Sequence, residues 1–548
     1  MKSRTKIYIL ALIIIQLTIL VIFGSMKKGM HFDECFSYFN TNNSVGRQAF
    51  DRSFVTSEDI LKDFYVKNGE GFNYDYVIEL QSYDVHPPFF YILLHTLCSF
   101  MPGVFSIWQG VALNILYSLI TSIFIFYIFR ILTKENDLAA FVIALLTAIN
   151  TGVISNAMYI RMYCLMTMLI VMAVYLHVRM LSYKTINELP VKFIVLNMLL
   201  AFLGFMTHYF YLLFIFFLEA AYIVPLLFKF KANIKGIIKY SFGMLIAGIL
   251  GVILYPSCLG HVNSGYRGNE VKSYLVNLSD FKQRFSFFGG LMDKYAFNSF
   301  FSIFLLIFIM LFLMAYYKKR VLKVTKGNVD KSATESGNEY IPDRSYISCY
   351  IRSIVIPTLG YFIISVKASL MGDEAMMRYQ LPIYGLVFSA FLYAFYLLFL
   401  YVSSNIKKAN ILCIIFSVLV LCLGIKGLLT KNVFYLYEEV ENMEAIASEY
   451  ADRECVYIYN GESNKYRLWN DALQLAKFDE VYFINSENTE PISEASINDA
   501  NSLVVYVSML GQKDNFDDYV DFIFENNSNL TSYKKLYDAM CAQVYIFE

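Results

Sequence analysis

The sequence has few charged residues: Asp, Glu, Lys and Arg together make up 16% of its 548 positions. Soluble globular chains carry about 25% of these residues on average. The deficit therefore excludes a cytosolic enzyme, a disordered scaffold and a nucleic-acid binder. Apolar residues make up 57% of the chain instead, and this composition predicts a membrane protein.

Zinc and redox motifs are missing as well. The nine cysteines have no metal-ligand or CxxC spacing, and most of them lie in apolar runs, where a thiol acts as a small hydrophobic side chain. Cys455 and Cys541 lie near the C-terminus, where they could either pair or remain free thiols. No glycine-rich phosphate loop opens a C-terminal helix, so a nucleotide site has no support.

Long apolar runs recur along the chain, and a helix needs about 20 such residues to cross a membrane. The runs that qualify predict eleven spans, at 7–24, 107–131, 136–158, 162–181, 192–209, 211–228, 238–257, 298–317, 351–371, 380–403 and 410–428. No small-x-small cleavage site closes the first run, which predicts an uncleaved helix. The shorter run 87–101 predicts an interfacial or re-entrant helix.

Basic residues cluster in alternate short loops, and such clusters stay in the cytoplasm. They are Arg130 and Lys134, Arg179 and Lys184, Lys229 to Lys239, Lys318 to Arg320, and Lys407 and Lys408. The pattern predicts a multi-pass membrane protein with its N-terminus in the cytoplasm and its C-terminal segment outside. Of the two membranes that fit, the plasma membrane and the endoplasmic reticulum, we expect the plasma membrane.

The C-terminal segment differs from the rest in charge and pattern. Residues 437–548 hold 22 acidic and 7 basic residues, and apolar runs at 455–460, 480–485 and 502–509 alternate with helix-like stretches at 437–450 and 464–476. This pattern predicts a small extracytoplasmic α/β domain with a parallel or mixed sheet. The fold class is therefore an α-helical polytopic membrane protein with a C-terminal α/β domain. Residues 1–436 are the predicted membrane body, with outer loops at 25–106 and 258–297 and an inner loop at 318–345.

Unusual polar residues are predicted to collect at the outer ends of the spans. They are Asp33, Glu34, Asp84, His86, Arg161, Tyr163, His208, Tyr209, Lys367, Asp373, Glu374, Arg378 and Tyr379. Charges at membrane depth are costly unless they pair or bind a polar ligand. Carboxylates can accept a proton from a hydroxyl group, and Arg and Lys suit phosphate oxygens. A membrane-borne phosphate ester and an alcohol would use both kinds of group.

Several of these residues also have a purely structural interpretation. Asp33 and Glu34 could stabilise the first turn of a helix on a solvated loop. Arg161 could extend to lipid headgroups, and Lys367 could pair with Asp373.

The order of five short motifs resembles the GT-C superfamily of membrane glycosyltransferases, in the branch that includes protein O-mannosyltransferases and aminoarabinose transferases of lipid A. The motifs are DE at 33–34, DxHPP at 84–88, RMY at 161–163, THYF at 207–210 and RYxxPxY at 378–384. The resemblance covers residues 1 to about 400, with departures at Cys35 and at Tyr159 and Ile160. It implies a sugar donor on a polyprenyl phosphate, an active site outside the cytoplasm and inversion at the anomeric carbon.

The resemblance also implies roles for the candidate residues. Asp33 is the expected catalytic base on the acceptor hydroxyl, and Glu34 is expected to position the acceptor or to assist. Arg161, Lys367 and Arg378 are expected to hold the lipid phosphate. The other expected substrate-binding residues are Asp84, His86, Tyr163, His208, Tyr209 and Tyr379. Some members of the superfamily use a divalent ion, which here would be Mg²⁺ or Mn²⁺ at Asp33 and Glu34, although no ligand spacing demands one.

The sequence leaves the acceptor open between a protein, a lipid and a cell-envelope glycan, and the C-terminal domain is expected to bind the acceptor or cap the site. Two other functions fit the same residues. A transporter or flippase of lipid-linked sugars would also need a cationic phosphate site, but no internal repeat of the kind common in transporters is evident. A catalytically silent scaffold is the second alternative.

Overall fold

A computed structural model describes residues 3–44, 50–183, 185–263, 265–277, 279–326, 344–403, 406–461, 465–488, 490–509 and 516–548. Most of the predicted inner loop, at 327–343, and the predicted cytoplasmic Lys184 lie outside the described residues.

Helices dominate the described chain. In chain order, the first are α1 (Ser3–Met26), α2 (Phe32–Asn42), α3 (Ser57–Leu61), α4 (Asp75–Tyr83), α5 (Phe89–Cys98), α6 (Ile107–Leu132), α7 (Asp137–Ala148), α8 (Thr151–Met158), α9 (Tyr163–Met180), α10 (Val191–Phe205), α11 (Tyr211–Leu227) and α12 (Phe230–Leu254). They are followed by α13 (Ser257–Asn263), α14 (Tyr266–Val276), α15 (Phe281–Phe297), α16 (Phe301–Lys326), α17 (Arg344–Tyr350), α18 (Ile356–Ala368), α19 (Leu381–Ser403), α20 (Ile406–Leu429), α21 (Glu439–Glu449), α22 (Ala472–Leu475), α23 (Ala495–Asn498) and α24 (Phe516–Asn526). A π-helical turn, Ile351–Val355, joins α17 to α18, and 3₁₀ segments occupy Ile186–Glu188, Glu374–Tyr379 and Lys465–Asn470.

Among the described residues, seven helices are long and apolar enough to cross a membrane, and two bent pairs raise the number to nine. The predicted number of eleven spans is not confirmed. The runs at 192–209 and 211–228 form the shorter apolar helices α10 and α11, because the chain turns between Phe205 and Tyr211. The run at 298–317 lies in the second arm of a pair that bends by 81°. The run at 87–101 contains the ten-residue helix α5, which is too short to span.

Six strands form one mixed sheet. They are β1 (Ser53–Thr56), β2 (Glu454–Tyr459), β3 (Glu480–Asn485), β4 (Leu503–Ser508), β5 (Tyr533–Asp538) and β6 (Ala542–Phe547), in the order β1-β3-β2-β4-β6-β5. The pairs β2–β3 and β2–β4 are parallel and the others are antiparallel. The small sheet that the sequence predicts for the C-terminal segment, either parallel or mixed, is therefore confirmed as a mixed sheet, to which the first loop adds β1. The predicted helix at 464–476 is instead a 3₁₀ segment followed by the short α22.

The chain divides into two compact units. The membrane unit comprises Met1–Ile22, Asp84–Phe90 and Ala112–Phe434, and the sheet unit comprises Phe23–Tyr83, Tyr91–Val111 and Tyr435–Glu548. The first loop thus packs with the C-terminal segment, whereas the sequence-based division kept it with the membrane body. The two divisions differ because the sequence shows where spans end but does not show that β1 pairs with β3, with Ser53 opposite Phe483.

Candidate active site

Four aromatic side chains from distant parts of the membrane unit meet in one place, which we call the ring cluster: His86, Tyr163, His208 and Tyr379. The ring of His208 lies 5.4 Å from that of His86 and 5.3 Å from that of Tyr163, measured between centroids. Tyr163 also meets Tyr379 edge-on at 6.5 Å. All four were predicted to bind substrate, and the fold brings them together from four separate motifs.

Arg161 lies beside this cluster in the tight turn between α8 and α9. Asn114 on α6 fixes the turn by donating its amide hydrogens to the carbonyl oxygens of Ala157 and Tyr159, at 3.2 and 2.7 Å. The Arg161 side chain is buried, and its guanidinium group lies within electrostatic range of His208. A fixed, buried cation next to polar rings is costly in a membrane unless it serves a ligand or a partner.

Arg378 reaches the same cluster from the 3₁₀ segment Glu374–Tyr379. The side chain of Asp373 caps this segment by accepting the backbone hydrogen of Ala375 at 3.0 Å. At its other end, the Tyr361 hydroxyl donates to the carbonyl oxygen of Tyr379 at 2.7 Å. Arg378 is buried, and its guanidinium carbon lies 5.2 Å from the Tyr379 ring centroid. Two buried arginines, Arg161 and Arg378, therefore each interact with a ring of this cluster.

His208 and Tyr209 occupy the turn between α10 and α11. The Nδ1 atom of His208 accepts the backbone hydrogen of Phe210 at 3.0 Å, so a neutral His208 carries its hydrogen on Nε2. The Tyr209 hydroxyl lies 2.9 Å from Nδ1 of His261. Asp84 lies within electrostatic range of Tyr209. The predicted residues of the DxHPP and THYF motifs are thus neighbours in the fold.

Lys367 belongs to an ion-pair network with Asp280 and Arg284. Its ammonium group donates to the carboxylate of Asp280, which also receives the guanidinium group of Arg284. Arg284 in turn donates to the carbonyl oxygen of Ser369 at 2.6 Å. The hydrogen bonds from Arg284 and Lys367 lower the pKa of Asp280 to about 2. Lys367 therefore pairs with an acid 87 positions away and not with Asp373, and sequence patterns gave no signal for Asp280 or Arg284.

Glu374 also has defined partners. Lys294 donates to one carboxylate oxygen, and the Tyr295 hydroxyl donates to the other at 2.7 Å. Burial by itself would raise the pKa of Glu374, but the hydrogen bonds from Lys294 and Tyr295 hold it below its usual value. This carboxylate ties the 3₁₀ segment of Arg378 to α15.

In the sheet unit, Asp33 lies in the first turn of α2. His31 caps this helix: its Nδ1 atom accepts the backbone hydrogen of Asp33 at 3.1 Å, and its own backbone N–H donates to Glu34 at 2.6 Å. The Asp33 side chain is 26% exposed, and its carboxylate lies 3.7 Å from the His31 ring nitrogen. Asp33 is therefore held at its backbone and accessible at its carboxylate.

Glu34, next to Asp33, is fully buried. Its carboxylate receives the ammonium group of Lys27 at 3.0 Å, and Lys27 also donates to the carbonyl oxygen of Tyr435 at 2.7 Å. Burial lowers the pKa of Lys27, and the charge of Glu34 opposes that shift. The two members of the DE motif are thus in different environments, with one accessible acid and one buried ion pair.

The carboxylates of the DE motif do not fit a divalent ion. Among the residues that the structure describes, no group of three His, Cys, Asp or Glu side chains could hold a metal. The Glu34 carboxylate instead faces the ammonium group of Lys27, whose positive charge would repel a second cation.

The described chain combines several helices that are long and apolar enough to cross a membrane with one six-stranded sheet, which is the architecture of a multi-pass membrane protein with a small α/β unit. The chain is similar to apo ArnT from Cupriavidus metallidurans, with a TM-score of 0.51 and 10% identity over 99% of this chain and 98% of the other. A structure of ArnT from the same organism bound to undecaprenyl phosphate gives a TM-score of 0.47 and 9% identity over 98% of each chain. No family model and no curated protein sequence matches the chain. At these identities the likeness shows the fold.

Proposed function

We propose that this protein is a glycosyltransferase that moves a sugar from a polyprenyl-phosphate carrier to an acceptor hydroxyl outside the cytoplasm. The observation that carries the proposal is the ring cluster with its two buried arginines, Arg161 and Arg378, in a chain with the ArnT fold. Two cations beside hydrogen-bonding rings suit a phosphate group at membrane depth.

The proposed reaction is a single displacement. The acceptor oxygen attacks the anomeric carbon, and Asp33 takes the proton from the acceptor hydroxyl. The bond between the anomeric carbon and the phosphate oxygen breaks, and the polyprenyl phosphate leaves with the electron pair. Arg161 and Arg378 stabilise the charge that develops on the phosphate. Because the acceptor displaces the phosphate in a single step, the configuration at the anomeric carbon is inverted and no glycosyl-enzyme intermediate is needed.

The other candidate residues take supporting roles in this proposal. The donor side is lined by His86, Tyr163, His208 and Tyr379, and Asp84 and Tyr209 contribute to substrate binding from the same two motifs as His86 and His208. Lys367 and Glu34 are assigned to positioning, because each is held in an ion pair of its own unit.

We further propose a plasma-membrane protein with a cytoplasmic N-terminus and an external C-terminus. The alternating basic loops support this orientation.

The test uses the purified full-length protein in liposomes with polyprenyl-phosphate sugars labelled in the sugar. Membrane and envelope fractions, which contain lipids, proteins and glycans, serve as acceptors. Transfer of label to a second molecule, together with release of polyprenyl phosphate, supports the proposal. Movement of intact labelled lipid between leaflets without release would establish the flippase alternative. If neither sugar transfer nor lipid movement is detected with any donor tried, the result favours the silent scaffold.

A further inference from the structure

The residues that lead into the first turn of α2, which carries Asp33, contact the C-terminal part of the sheet unit. The backbone N–H of Lys28 donates to the carbonyl oxygen of Leu436 at 2.9 Å. Gly29 packs so closely that a Cβ atom there would lie 2.5 Å from a methyl carbon of Val440. Met30 accepts a hydrogen bond from the Asn470 amide at 3.2 Å. Three consecutive residues before α2 are thus each held by a residue of the C-terminal segment.

Trp469 holds the helix itself. Its indole lies 5.3 Å from the ring of Phe36 and 4.6 Å from that of Phe39, and its carbonyl oxygen accepts from the Cys35 thiol at 3.6 Å. The indole N–H donates to Asp63 at 3.2 Å, which fixes the plane of the ring. Residues 35, 36 and 39 lie on one side of a helix, so Trp469 defines the position and rotation of α2.

We infer that the C-terminal segment is a positioning device for Asp33, with Trp469 and Asn470 as its principal positioning residues. The inference rests on the proposed function and specifies a role for the domain other than acceptor binding. A general base must lie within hydrogen-bond reach of its proton, and displacements of about 1 Å can cost on the order of 100-fold in rate. Trp469 and Asn470 act through α2 and the residues before it, which place the Asp33 carboxylate.

The experiment compares two truncations in the sheet unit of the full-length protein. Trp469→Leu removes the aromatic contacts with α2. Ile523→Ala is the matched control, because Ile523 is buried in the core on the α24 side of the sheet, in a cluster that includes no residue of 27–42. Both variants lose buried volume, but only the first touches the helix of Asp33. Trp469→Phe keeps a ring against Phe36 and Phe39 and serves as the conservative variant.

For Trp469→Leu we expect kcat to fall at least about tenfold, with the donor KM within about threefold of wild type. Trp469→Phe should recover part of the loss, and Ile523→Ala should keep kcat within about threefold per folded molecule. Equal losses in Trp469→Leu and Ile523→Ala would overturn the inference, because a general loss of stability would then explain both.

A second measurement needs no donor. Hydrogen exchange of the amides in 31–39 should be at least about tenfold faster in Trp469→Leu and unchanged in Ile523→Ala. Unchanged exchange in Trp469→Leu would overturn the inference even if the enzyme transfers sugar. A wild-type protein that transfers nothing, with exchange as expected, would instead contradict the proposed function and leave the structural coupling intact.

Discussion

Lys27 and Glu34 form an ion pair of 3.0 Å in which both side chains are fully buried. The pair closes the turn between α1 and α2, since Lys27 also binds the carbonyl oxygen of Tyr435 and Glu34 binds the backbone of His31. It therefore links the acidic motif at the start of the chain to the beginning of the C-terminal segment, within one compact unit.

Removing one partner of this pair should destabilise the sheet unit strongly. Glu34→Gln leaves the Lys27 ammonium buried without its counter-charge, which typically costs about 3–5 kcal/mol. Lys27→Met/Glu34→Leu, which removes both charges, should cost less than Glu34→Gln. Thermal unfolding of the purified variants measures the order, and a double variant less stable than Glu34→Gln would contradict it.

Arg378→Ala should weaken donor binding. A hydrogen bond to a charged group contributes about 1.5–3 kcal/mol, which corresponds to an affinity loss of roughly 10-fold or more. Donor affinity can be measured by equilibrium binding of a labelled polyprenyl-phosphate sugar. Arg130→Ala is the control, because Arg130 pairs with Asp137 at 2.6 Å in a predicted cytoplasmic loop. If donor affinity is unchanged in Arg378→Ala, or falls equally in Arg130→Ala, Arg378 does not contribute specifically to donor binding.

Lys367 and Asp280 should behave as a coupled pair. Lys367→Met and Asp280→Asn each break the same contact, so the double variant should lower the melting temperature by no more than about the larger single effect. Donor affinity should change equally in the three variants, because Lys367 acts through Asp280. Two results would contradict this prediction: changes in melting temperature that add up in the double variant, or a loss of donor affinity in Lys367→Met alone. Either result would support the direct contact between Lys367 and the phosphate that the sequence predicts.

The stability of the sheet unit should depend on pH through Asp471. Burial raises the pKa of this carboxyl from its usual 3.8 to about 7, so the folded state binds a proton that the unfolded state releases. Its contribution is fully present below about pH 4 and is lost as the pH rises through about 7. The melting temperature should therefore fall between pH 5 and pH 8 by more in wild type than in Asp471→Asn. Identical pH dependence in the two proteins would contradict this assignment.

Sequence patterns predicted those parts of the fold that depend on local apolar content. Strands β2, β3 and β4 stand out because they are continuous apolar runs between turns, buried along nearly their whole length. In contrast, β1 has four residues and β5 carries exposed lysines, so neither has the pattern of a buried strand. Hydropathy predicts spans at the positions of the short helices α10 and α11, because it does not show where the backbone turns.

The sequence also predicts part of the candidate site, namely its aromatic residues. The order of the motifs identified His86, Tyr163, His208 and Tyr379, which meet in the ring cluster. The ion pairs were not predictable, because charge pairing depends on which segments meet. Lys367 lies 87 positions from Asp280, and no local pattern connects them. The difference between Asp33 and Glu34 depends on the buried ion pair of Glu34 with Lys27, which also binds the carbonyl oxygen of Tyr435, and their shared motif does not reveal this pairing.

The most direct test of the account is the rate of sugar transfer by Asp33→Asn, measured with wild type and Asp33→Glu in the same assay. General base catalysis contributes about 100- to 10,000-fold, so Asp33→Asn should lose at least about 100-fold while its melting temperature stays near that of wild type. Asp33→Glu, which keeps a carboxylate, should retain part of the activity. Transfer by Asp33→Asn at the wild-type rate would show that Asp33 is not the base and would contradict the proposed mechanism.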